Sequence, residues 1–192
     1  MMSRAVGLAA VAVAAALAGC GGDERAPAPD LDAQLLSAAA ANDVEAARRL
    51  IDRGADVNAK NASQESAYLI ATSEIGDDPR LLELTLSSGA DVNAKDRFNG
   101  TGLIRAAERG YVRIVRRLLE TDIEIDHVNR LDWTALLEAI ILGEAGRAHT
   151  ETVRALVDAG ADVTIADGDG VTPIAHARER GYDAIVAILR AA

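Results

Sequence analysis

The chain is poorest in sulfur and in rings. It has one cysteine, Cys20, in 192 residues, and aromatic residues make up 3%, with a single Trp and a single Phe. One thiol excludes an internal disulfide framework and any cysteine-rich metal site. So few rings argue against a sandwich of strands and for packed helices built from Ala and Leu. Positive charge is also short: 20 Lys and Arg stand against 30 Asp and Glu, a formal charge of −10. Nucleic-acid phosphates demand a basic face, and anionic lipid surfaces follow the same sign rule, so the balance argues against both as ligands. What is plentiful is apolar surface, 49% of residues, which suits one domain with a moderate core and excludes a disordered chain.

The first twenty residues, "MMSRAVGLAAVAVAAALAGC", carry one Arg, then an apolar run from Ala5 to Gly19, then Cys20. The run is too short for a comfortable membrane span and suits the apolar region of a signal peptide. Leu17-Ala18-Gly19-Cys20 resembles the lipobox of bacterial lipoproteins. That resemblance implies lipidation of the Cys20 sulfur, cleavage before it, and a mature chain without thiols. Gly21, where an Asp would favour inner-membrane retention, implies an outer-membrane destination. The alternatives are an ordinary cleaved signal with a chance Cys, or an uncleaved anchor. "GGDERAPAPD", Gly21–Asp30, reads as a solvated tether. About nine residues at roughly 3.1–3.6 Å each would hold a domain on the order of 30 Å from a bilayer. The expected division is a signal peptide over 1–19, a lipidated Cys and tether over 20–30, and a folded domain over 31–192.

Within the domain, "GADVNAK" is spelled twice, at Gly54–Lys60 and Gly89–Lys95. The landmarks Gly54, Gly89, Asp122 and Gly160 are spaced by 35, 33 and 38 residues. A second set, Ser66-Ala67-Tyr68-Leu69, Thr101-Gly102-Leu103-Ile104, Thr134-Ala135-Leu136-Leu137 and Thr172-Pro173-Ile174-Ala175, drifts by the same amounts. Two landmarks moving in step define one repeated unit. Thr172 followed by Pro173 predicts a helix start with a hydroxyl cap. "LIRAAERG" predicts a short first helix closed by Gly110, with Gly181 and Asn42 as its counterparts. "YVRIVRRLLE" places Val112, Val115, Leu118 and Leu119 on one face of a second helix. The repeated heptamer is then a helix stop leading into a turn. Asp122, where the other units have Gly, is expected to take the left-handed conformation at a small cost.

These units resemble ankyrin repeats, with a Thr-Pro-type helix start and a Gly-Ala-Asp-Val-Asn exit at a period near 33. The resemblance implies an all-α solenoid of stacked helix-turn-helix units joined by β-hairpin-like fingers, in about five units: 31–61, 62–96, 97–130, 131–167 and 168–192. It also implies recognition of another protein, without catalysis or cofactor, by a monomer whose fingers and first helices form the contact surface. Insertions near 74–80 and 143–151 map to turns between paired helices.

Few residues suggest chemistry. His127, His149 and His176 fall in different parts of different units, without metal-ligand spacing. "DGDG", Asp167–Gly170, fails the calcium-loop pattern at its first and last ligand positions. A hydrolase using His149 and Glu151, or a purely structural envelope protein, are the competing functional readings. The only Phe and the only Trp fall at adjacent fingers, with Arg97 and Phe98 on one and Arg130, Leu131 and Trp133 on the next. Arginine and aromatic side chains dominate interface hot spots. With Arg105, Arg109 and Glu138 on neighbouring first helices, these eight residues are the candidate contacts with a partner.

Overall fold

The computed structural model describes residues 30–144 and 146–192. The apolar leader, Cys20 and the tether through residue 29 lie outside the described residues. Ten helices run through what is described: α1 (Leu31–Ala40), α2 (Val44–Asp52), α3 (Ala67–Ser73), α4 (Arg80–Ser87), α5 (Gly102–Arg109), α6 (Val112–Leu119), α7 (Ala135–Ile141), α8 (Arg147–Asp158), α9 (Pro173–Glu179) and α10 (Asp183–Arg190). They form five packed pairs. The first helices, α1, α3, α5, α7 and α9, follow one another in a row, with the second helices stacked behind them. This is the all-α solenoid expected from the repeat. None of these helices is long and apolar enough to cross a membrane.

Local chemistry accounts for the helix limits. Ser66, Thr101 and Thr134 accept cap bonds from the amides of Leu69, Ile104 and Leu137. Thr172 departs from expectation: its hydroxyl makes no cap bond, and Pro173 at the first position, with φ preset for a helix, starts α9 instead. Asn42, Gly110 and Gly181 take left-handed φ of 53°, 65° and 70° as the first helices end. Asp122 does not follow. The second helices α2, α4 and α8 close with left-handed Gly54, Gly89 and Gly160, but Asp122 keeps an ordinary φ and α6 stops at Leu119. The side-chain clash of the left-handed region is avoided by ending the helix sooner.

The core is aliphatic, with Leu103, Ile114, Leu118, Leu136, Leu137 and Leu156 essentially inaccessible, and Ala67, Ala106, Ala107, Ala135, Ala139 and Ala177 at helix contacts where larger side chains would hold the rows apart. Tyr68 is wholly buried and donates from its hydroxyl to Val92 O at 2.8 Å. Burial, then the nearby Asp91 carboxylate, pushes its phenol well above the usual range. Its ring also explains why the third unit reads Thr-Gly rather than Thr-Pro. A Cβ at Gly102 would lie 2.5 Å from the Tyr68 hydroxyl oxygen.

The repeated heptamer has a structural purpose beyond stopping helices. Asn58 Nδ2 donates to Gly89 O while its Oδ1 accepts from Asp91 N, and Asn93 does the same to Asp122 O and Glu124 N. Each unit's Asn therefore latches the opening of the next unit's motif. Asp126, at the same register, accepts from Asp162 N at 3.0 Å but has no amide hydrogens to give.

Both insertions act between units. Asp77, in the loop before α4, accepts from the amides of Arg113 and Ile114 and so caps α6, whose own N-cap residue Tyr111 supplies no side-chain bond. His149 of α8 bonds through Nε2 to Glu108 O at 2.9 Å, at the end of α5, and Tyr182 donates to Gly143 O.

Candidate partner-binding face

Four finger turns project from the stack, beginning at Asn61, Asp96, Asn129 and Asp167. They share one construction. The Oδ1 atom of the first residue accepts the amides two and four positions on, at 2.8–3.1 Å. Its carbonyl accepts the amide three positions on, and its own amide donates to the carbonyl four positions on. The fourth residue, Gln64, Asn99, Asp132 or Gly170, takes a left-handed φ of 59–78°. Asn and Asp fit the opening position because only a short side-chain oxygen reaches both amides. Among the described residues the one β element is an isolated bridge, Lys95 to Thr101, so the fingers are turns rather than paired strands.

The other polar atom of three opening residues reaches a residue nine positions later on the first helix. Asp96 Oδ2 meets Arg105 at 2.9 Å, Asn129 Nδ2 donates to Glu138 Oε1 at 2.7 Å, and Asp167 Oδ2 meets His176 Nε2 at 2.6 Å. The finger residue matches its partner: a carboxylate faces guanidinium or imidazole, and an amide faces a carboxylate. Arg180 donates to His176 Nδ1, so the proton on Nε2 points at Asp167. At the fourth site, Asn61 has Ile70 nine positions on and instead donates to Glu65.

These clamps correct two of the candidates. Arg105 is spent inside the fold: its guanidinium, 14% exposed, bonds Asp96, Glu65, Glu74 and Ser73 together. Glu138 is 4% exposed, and its carboxylate serves Asn129 rather than the surface. Both stand beside fingers with their charged ends turned into the fold. Burial pushes the Glu138 carboxyl up to about 7, with the Glu108 and Asp96 charges adding to the rise against the Asn129 hydrogen bond. Its Oε2 is buried without a hydrogen-bond partner. Asp167 goes the other way: the Val171 amide first, and His176 further down, hold its carboxyl below the usual range.

The remaining six candidates lie outward or partly so. Arg97, Phe98, Arg109, Arg130 and Leu131 are exposed, and Trp133, the last residue of its finger, is half-buried. Phe98 and Leu131 keep 54% and 55% of their surface, and the Arg97 guanidinium lies 4.7 Å over the Phe98 ring. The two middle fingers are joined to each other. Arg130 N donates to Phe98 O at 3.0 Å, Arg130 Nη1 to Arg97 O at 2.6 Å, Asn99 Nδ2 to Val128 O at 3.1 Å, and His127 Nε2 to Asn99 O at 2.8 Å. A cavity of about 330 Å³ lined by Arg97, Phe98, Glu108 and Arg109 opens on one side, and one of about 510 Å³ lined by Leu131, Trp133 and Arg180 on the other.

The hydrolase residues are not brought into a reacting arrangement: His149 serves Glu108 O, and Glu151 is bound by Arg147 and Arg116. Among the described residues no group of three or more His, Cys, Asp or Glu could hold a metal. The clamps, the Asn latches and the Asp77 cap were missed in the sequence, although the nine-residue offset and its charge matching recur there at 33- and 38-residue steps.

The family model for ankyrin repeats (3 copies) matches residues 68–167, and that for a single ankyrin repeat matches residues 35–62. The chain is 40% identical over 144 residues to the ankyrin repeat protein YahD of Escherichia coli (strain K12), spanning 74% of this chain and 71% of that protein. It is 46% identical to the solved structure of an ankyrin repeat domain from Acinetobacter baumannii AYE, with a TM-score of 0.77 over 82% of this chain and 79% of that one. The solved ankyrin repeat protein EF0377 follows at 38% identity and a TM-score of 0.75, over 81% of this chain and 78% of the other. Stacked helix pairs, finger turns of one design and these matches lead to the same conclusion: the chain belongs to the ankyrin repeat family.

Proposed function

We propose that this protein is a recognition module tethered to a bacterial cell envelope through lipid on Cys20, and that it binds another protein with its two middle fingers. Ankyrin repeats are protein–protein interaction modules and typically non-catalytic. The finger reading rests on one observation. At the two tip positions the four turns read Ala62-Ser63, Arg97-Phe98, Arg130-Leu131 and Gly168-Asp169. All four close with the same hydrogen bonds, so the turn does not require Arg, Phe or Leu at its tip. Large apolar side chains kept half in water on a preformed support are what an interface uses, since ordering costs are already met.

The tether reading rests on the lipobox resemblance and the short spacer. Two or three acyl chains, at about 0.8 kcal/mol per buried CH₂, would hold the domain on the membrane essentially permanently. The domain then faces the periplasm or the cell exterior, as a monomer free to restrain or protect an envelope protein.

Affinity capture from envelope extract, read by mass spectrometry, tests the finger reading. A discrete protein held by the wild type and lost in Phe98→Ala/Leu131→Ala, with an unchanged melting curve, is expected; identical captures by both would refute it. Cys20→Ser should move the protein into the soluble fraction and remove the acyl mass. Continued membrane fractionation of that variant would count against the lipid anchor.

A further inference from the structure

We propose that the partner segment is acidic: its carboxylates meet Arg97, Arg109 and Arg130 around an apolar side chain laid over Phe98 and Leu131. This rests on the finger reading above and adds the chemistry of what the fingers hold. In a chain with ten more acids than bases, Arg97 and Arg130 stand on adjacent finger tips and Arg109 on the helix beside them, and none of the three makes an ion pair among the described residues. Arg97 and Arg109 line one cavity with Arg105 and the carboxylates of Glu65, Glu74, Asp96 and Glu108. Arg130 uses one of its five N–H donors on the Arg97 carbonyl, which fixes its side chain against the neighbouring tip and leaves the other donors for a ligand. Arginines on adjacent tips with donors to spare suit a carboxylate, which guanidinium binds with paired, charge-assisted hydrogen bonds. The aromatic face beneath Arg97 supports its charge while leaving its donors for a ligand.

The acids nearby do not cancel this. Glu65, Glu74 and Asp96 are gathered on Arg105, and Glu138 is buried against Asn129. Glu108 and Asp132 remain, one on the cavity wall and one beside Leu131. The −10 charge of the whole chain acts weakly at contact range, because at physiological salt fields are screened over about 8 Å. The guanidiniums at the tips decide what docks there.

The test uses the full chain in detergent and a random displayed dodecapeptide library. Binders are selected on the wild type and counter-selected on Arg97→Glu/Arg130→Glu. The expected result is enrichment of peptides with Asp or Glu flanking an apolar residue. One such peptide, synthesised, should bind the double variant at least tenfold more weakly and should lose affinity between 0.15 and 0.5 M salt, on the order expected for local ion pairs. Enrichment of neutral or basic peptides that still need Phe98 and Leu131 would overturn the acidic partner and leave finger recognition standing. No enrichment over Phe98→Ala/Leu131→Ala would overturn both.

Discussion

The outer fingers, at Asn61–Glu65 and Asp167–Val171, and the middle fingers, at Asp96–Gly100 and Asn129–Trp133, are the same turn with different contents. All four close on a side-chain oxygen that takes two backbone amides. The outer pair carries small or solvated tips. The middle pair carries arginine and a large apolar residue on each, and is cross-linked by two hydrogen bonds from Arg130, with two more tying Asn99 to His127 and Val128 just before the second finger. The repeat therefore supplies its own control: the hydrogen bonds common to all four turns maintain the fingers, and the tip side chains that those bonds do not need are open to recognition. Arg105 and Glu138 show the rule at work, since both occupy the clamp register and both turn inward.

The largest effect should come from breaking a clamp in the middle pair. Asn129→Ala removes the acceptor of two amides and leaves Glu138 buried without its donor, at a cost of about 3 kcal/mol from the unpaired polar groups. Urea unfolding measures it, and a loss below about 1 kcal/mol would show that the clamp is dispensable. Gly102→Ala should follow, at about 1–3 kcal/mol, because the added methyl group meets the Tyr68 hydroxyl in a packed core. Ala at the equivalent position in α3 and α7 is accommodated, so the contrast is local to this unit.

The clamps also differ in how they respond to pH. Glu138 has a folded value of about 7, against an ordinary 4.5, so the native state holds its proton over that interval while the unfolded chain releases it. Stability then falls as pH rises from about 4.5 to about 7, by on the order of 2–3 kcal/mol. Glu138→Gln should abolish that decline and be the more stable protein at pH 8, with the advantage gone near pH 4. Parallel urea titrations with equal slopes would contradict it. Asp167, depressed instead, contributes stability that is present at neutral pH and lost on acidification. A smaller gain is expected from Asp126→Asn, which restores the amide donor of the inter-unit latch, at about 0.5–1 kcal/mol. An unchanged urea midpoint would show that the latch geometry is not completed there.

Much of this was legible in the sequence, and the reasons for the rest are physical. Repeat spacing, caps and helix stops are local signals, so the helix pairs and most of their ends could be read directly. The exposed Arg97, Phe98, Arg130 and Leu131 followed from counting to the tip of a turn. Arg105 and Glu138 did not, because whether a charge on a first helix faces solvent depends on what stands nine residues earlier in the finger. Asp122 misled for a related reason: a helix can end early as readily as it can accept strain. Asp77 and His149 looked like loop residues, and only the stacking of neighbouring units brings them to α6 and α5.

One measurement reaches the central point most directly. Giving the middle fingers the tips of the outer ones, as Arg97→Ala/Phe98→Ser with Arg130→Gly/Leu131→Asp, should leave unfolding free energy within about 1 kcal/mol of the wild type, as for exposed substitutions, while abolishing partner capture. A protein that unfolds, or that captures its partner undiminished, would contradict the separation of framework from recognition.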